Sequence, residues 1–85
     1  MLIHIVTPYS AMRALASIGP SAVPALKKAF DQGETYIKIR IIEIFGLMGK
    51  AAAGEAAFLK TLLAATKEAV VKDAIEDALE KIGSP

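Results

Sequence analysis

Tyr36-Ile37-Lys38-Ile39-Arg40-Ile41-Ile42-Glu43-Ile44-Phe45-Gly46-Leu47-Met48-Gly49 decides the fold, because it is apolar on almost every side and carries only three charges. Two readings compete. Ile37, Ile39 and Ile41 alternate with Lys38 and Arg40 as in a half-buried strand, whereas Ile37, Ile41, Ile44, Phe45 and Met48 recur at helical spacing. Either way, other parts of the chain must cover it on two faces.

The flanking sequence is helical. Thr7-Pro8 makes a helix start, since threonine accepts a free backbone N–H and proline lacks a donor where none is needed. Ala11, Met12, Ala14, Leu15 and Ile18 form the following apolar stripe, and Gly19-Pro20 ends it. Ser21 is placed to cap a second helix with Pro24 in its first turn. There Val23, Leu26, Ala29 and Phe30 turn inward, Lys27 and Lys28 face out, and Asp31 to Glu34 is the turn. Beyond Gly49, Lys50 to Gly54 connects to an amphipathic helix from about Glu55. Phe58, Leu59, Leu62 and Leu63 line one side of it, opposite Lys60, Thr61 and Ala64. Thr66 is placed to cap the last helix, with Glu68 at the positive end of its dipole and Lys81 near the negative end. Val70, Val71, Ala74, Ile75, Ala78, Leu79 and Ile82 make its stripe, with Lys72, Asp73, Glu76, Asp77 and Glu80 opposite, and Gly83 closes it.

An internal repeat resolves the central stretch. Aligned on their glycines, Ala14-Leu15-Ala16-Ser17-Ile18-Gly19, Ile44-Phe45-Gly46-Leu47-Met48-Gly49 and Ala78-Leu79-Glu80-Lys81-Ile82-Gly83 each carry apolar residues at the first, second and fifth places. Upstream, Ile37-Lys38 matches Val71-Lys72. The last copy reads as a helix, so the central copy does too. Its extra apolar residues, Tyr36, Ile39 and Leu47, suit a helix with neighbours on both sides. The expected fold is all-α, a short α-solenoid of about five helices in two and a half helix–turn–helix units. Its expected organisation is a single domain over 1–85: an arm (1–7), a first unit (8–33), a second (34–66) and a capping helix (67–85).

Gly19-Pro20-Ser21-Ala22-Val23-Pro24-Ala25-Leu26, preceded by Ala14-Leu15, resembles the HEAT-like repeat of the phycobilin-lyase type. The resemblance covers roughly Pro8 to Gly83 and is most specific from Ala22 to Leu26. The second unit departs from it: Lys50 to Gly54 is a longer turn, and Phe58-Leu59 stands where proline-alanine-leucine is the pattern. The first unit has Thr7-Pro8 in place of the aliphatic–cation pair. The resemblance implies that the second helix of each unit lines a concave face, here presenting Lys27, Lys28, Glu55, Lys60, Thr61 and Ala64. It also implies a conceivable accessory role in a bilin lyase-like complex.

Composition narrows the chemistry. Apolar residues make up 54% of the 85, enough for the efficient core that so short a chain requires. There is no cysteine, so disulfides, thiolate metal sites and cysteine nucleophiles are excluded. The net charge of +1 removes the bulk electrostatic case for a nucleic-acid binder. Leu2-Ile3-His4-Ile5-Val6 lacks a basic leader and is stopped by Pro8, which makes a poor signal peptide. No run approaches the roughly 20 apolar residues of a membrane span, so a cytoplasmic protein is expected. That arm fits a strand, a last helical turn or a docking segment. Leu2, Ile3, Ile5 and Val6 have no evident cover, and burying one such side chain is worth roughly 1.5 to 3 kcal/mol. Self-association through that end, or a place within a longer solenoid, is therefore expected.

No catalytic, metal or cofactor site is expected. His4 is the only histidine and its segment offers no partner. The histidine–glutamate pairs of metal-dependent HEAT-repeat hydroxylases are lacking. Asp73, Glu76, Asp77 and Glu80 have the spacing of a solvated helix face rather than a calcium loop. Gly46 and Gly49 lie within and at the end of a helix, without the lysine of a phosphate loop. Lys27, Lys28, Lys60 and Lys67 suggest a weak basic stripe, but no aromatic is expected among them and Asp31 and Glu55 are near. The function expected is a non-enzymatic protein-interaction module binding an unidentified protein on its concave face. Nucleic-acid or polyanion binding is the alternative.

Overall fold

The computed structural model describes residues 9–83. The apolar arm with His4, and the Thr7-Pro8 helix start, lie outside them. The described chain is all-α, with helices α1 (Tyr9–Ile18), α2 (Val23–Gln32), α3 (Thr35–Met48), α4 (Ala56–Ala65) and α5 (Ala69–Ile82). Short 3₁₀ turns, Gly19–Ala22 and Gly49–Glu55, join α1 to α2 and α3 to α4.

The central stretch is helical, as the repeat implies. α3 packs against α1, α2 and α5, α5 also packs on α4, and the two 3₁₀ turns touch each other. Ile41, Ile42, Ile44 and Phe45 of α3 are fully buried, as are Leu59 of α4 and Ile75 of α5. Lys38 and Arg40, whose alternation with isoleucine suggests a strand, lie half-buried at the flanks of the helix.

Gly19, Gly49 and Gly83 are the glycines with positive φ, at 83°, 59° and 86°. They are the same three on which the repeat aligns. Each ends a helix by turning the chain where a β-carbon would strain it. At Gly83 the N–H reaches back to the carbonyls of Leu79 (3.1 Å) and Glu80 (3.0 Å). With these glycines as origin, α1, α3 and α5 share a register. Gly46 lets α3 and α5 approach closely, since a β-carbon there would lie 3.3 Å from Ala78 Cα.

Several local expectations are corrected. Ser21 does not cap α2: the backbone already turns helically through Ala22, and the Ser21 hydroxyl donates back to the Ile18 carbonyl at 3.5 Å. Thr66 sits too early to cap α5. Its hydroxyl accepts the Glu68 N–H at 3.3 Å, while Glu68 is the cap residue and its carbonyl takes the Val71 and Lys72 N–H groups. The turn after α2 is shorter than Asp31 to Glu34, because α2 runs through Gln32. Ile18, Tyr36 and Val70 belong to apolar stripes by spacing yet are exposed. Tyr36 and Val70 both begin their helices, thirteen residues before the closing glycine, where no described helix covers them.

Ile41→Asp should destabilise the domain by at least about 4 kcal/mol, because it buries an unpaired carboxylate. Gly49→Ala should cost about 1–3 kcal/mol, since Gly49 combines φ 59° with ψ −130°, a region nearly restricted to glycine. Chemical denaturation followed by circular dichroism measures both.

Candidate functional site

The side formed by α2 and α4 carries the residues singled out in sequence. Leu26 and Phe30 point α2 into the core, which leaves Lys28 exposed and places Lys27 along the seam with α4 and the turn before it. Lys27 is thus only half-exposed rather than facing fully out. Its Nζ lies 3.0 Å from Glu55 Oε1 and 4.5 Å from the centre of the Phe58 ring. Glu55 Oε1 is buried without an aligned hydrogen-bond donor, so its contact with Lys27 is one of charge. Phe58 meets Phe30 edge-to-face at 5.6 Å and Phe45 at 6.4 Å. Lys38 Nζ covers the Phe30 ring at 5.3 Å. An aromatic therefore does lie among the lysines. Packing of α4 against the core brings Phe58 under Lys27 from far along the chain.

The remaining members stay at the surface: Lys28, Lys60, Thr61 and Ala64 are exposed. Thr61 donates its hydroxyl proton to the Ala57 carbonyl at 3.0 Å, leaving its oxygen as an acceptor. Lys27 is paired in charge with Glu55, so the outward charges are the ammonium groups of Lys28 and Lys60 and, three residues beyond Lys28, the exposed carboxylate of Asp31. Lys67 is exposed in the turn before α5.

The tight passage from α1 through Gly19–Ala22 into α2, with Pro24 in the first turn and Leu26 buried, matches a known repeat. Residues 8–32 match the PBS lyase HEAT-like repeat. No curated protein and no solved structure matches the chain. Beyond the HEAT-like repeat, Leu59 of α4 is fully buried as Leu26 of α2 is, although Phe58 replaces the smaller Ala25 before it.

A recess elsewhere escapes sequence reasoning. α1, α3 and α5 border an open recess of about 360 Å³ lined by Tyr9, Met12, Arg40, Glu43, Asp77 and Lys81 among others. Arg40 Nη1 donates to Glu43 Oε1 at 2.8 Å, and Lys81 Nζ lies 3.0 Å from Asp77 Oδ2. The signal was present: Glu43 and Asp77 each stand six residues before their closing glycine, each with a cation one turn away. Both pairs are internally neutral. Among the described residues, no three His, Cys, Asp or Glu side chains are grouped to hold a metal ion, and no helix is long and apolar enough to cross a membrane.

The hydrogen bond that Lys81 donates to Asp77, reinforced by the carboxylate's charge, raises the Lys81 ammonium above its ordinary 10.5. A raised value in the folded state stabilises below the unfolded pKa, and that contribution is lost as pH rises through the folded one. Asp77→Asn should therefore lower the Lys81 titration midpoint towards 10.5, read from its side-chain carbon shifts by NMR.

Proposed function

We propose that the chain is a short HEAT-like α-solenoid that works as a non-enzymatic protein-interaction module, engaging a protein partner across α2 and α4. The observation that carries this reading is the division of labour along that side. Lys27 of α2 pairs with Glu55 of the turn before α4, while Lys28 of α2 and Lys60, Thr61 and Ala64 of α4 remain exposed. Two exposed cations with small neighbours suit a partner that offers carboxylates beside a shallow apolar contact. Rim charges of this kind set association rate and salt dependence more than raw affinity.

The polyanion alternative is weakened by the pairing of Lys27, which leaves few cations for phosphates. Each phosphate contact adds only a salt-sensitive increment. An accessory role in a bilin lyase-like complex rests on the family resemblance alone. Binding a partner requires no catalytic group.

Affinity capture with the full chain, followed by identification of bound proteins, tests the proposal. Lys28→Glu with Lys60→Glu should reduce recovery of the partner about tenfold, equivalent to 1.4 kcal/mol, with the thermal midpoint unchanged. Retention on generic DNA or RNA at low salt, abolished by the same pair of substitutions, would instead establish the polyanion reading.

A further inference from the structure

The shared register shows which face of each first helix meets the unit before it. Ala78 of α5 packs against Gly46 of α3, and Ala78 corresponds to Ile44 and to Ala14, five residues before their glycines. The surrounding stripe, Ile75, Ala78, Leu79 and Ile82 in α5 and Ile41, Ile44, Phe45 and Met48 in α3, is buried throughout. In α1 the same positions are Ala11, Ala14, Leu15 and Ile18. Here Ala14 is exposed and Ile18 is 58% exposed, against 9% for Met48 and 5% for Ile82. On α2, Ala25 occupies the place of Phe58, the residue that packs on the unit before, and it too is exposed.

The opposite end is built differently. Positions that face the next unit are Met12 and Ala16 in α1, and Ile42 and Gly46 in α3. In α5 they are Glu76 and Glu80, both exposed, with Asp73 and Lys72 beside them, a charged face with a net negative balance. One end of the stack is thus apolar and uncharged, the other acidic.

From this polarity we infer that the α1 face is a self-association surface on which a second copy docks, α1 against α1, about a two-fold axis. A second copy cannot add head-to-tail, because its only end complementary in register carries Asp73, Glu76 and Glu80 and would bury those carboxylates against alanine and isoleucine. Face-to-face docking sets apolar surface on apolar surface. It closes at two copies, as an isologous contact must. Ala11 and Ala14 allow the helices to approach closely, and Ile18, repeated across the axis, supplies the buried side chains.

This inference is independent of the α2 and α4 reading and has its own test. Sedimentation of the full chain should show a monomer–dimer equilibrium between about 10 µM and 1 mM, the range open to a small interface. Ile18→Glu, and separately Ala14→Glu, should leave a monomer with unchanged circular dichroism, because both positions are exposed and tolerate charge without the partner. Glu80→Lys, at the other end, should leave the dimer intact. A chain that stays monomeric at about 1 mM, with the face left to a different polypeptide, would overturn the inference. So would a dimer that survives Ile18→Glu, which would place association elsewhere.

Discussion

Burial of α3 is the constraint on which the other helices depend. Ile41, Ile42, Ile44 and Phe45 are removed from water completely, and each such side chain is worth roughly 1.5 to 3 kcal/mol. No single neighbour covers them. α1 and α5 lie along α3, α2 packs against it as well, and Phe45 reaches the Phe58 ring of α4. The ends of α3 follow from the same need: Gly49 turns the chain at once so that α4 can return, and Gly46 removes the side chain that would hold α5 away.

How much of this is legible in sequence depends on whether a residue's environment comes from its own helix or from another. The helical state of α3 is ambiguous from its own periodicity and becomes plain once the three glycine-terminated segments are aligned, because each glycine ends its helix with a positive φ. The buried stripes of α2 and α5 follow from spacing. Exposure of Ile18 and Val70 does not, since spacing identifies an apolar stripe without saying whether a neighbour lies over it. The caps fail for a local reason. A hydroxyl near a helix start has competing backbone partners, and Ser21 takes Ile18 where a cap would take an N–H of α2.

The candidate sites divide in the same way. Lys28, Lys60, Thr61 and Ala64 are exposed as their helical positions imply, whereas the fate of Lys27 depends on Phe58 and Glu55, brought to it by packing between units. The recess among α1, α3 and α5 needs three helices to exist, though its ion pairs sit at ordinary helical spacings. A HEAT-like repeat is matched over residues 8–32, where the turn between α1 and α2 is compact and proline-marked, whereas the turn after α3 is longer. The middle of the chain thus serves stability, and the proposed contacts draw on groups left exposed on α2, α4 and α1.

The most direct measurement of this account is native-state hydrogen exchange resolved by residue. If α3 is the element all others cover, the amides of Ile42, Ile44 and Phe45 should exchange only through global unfolding, with the full free energy of the domain. Amides in α1 and α4 should open at lower cost. Exchange from α3 at the rate of α1 or α4 would mean that the helix is not the shared core, and would contradict the account.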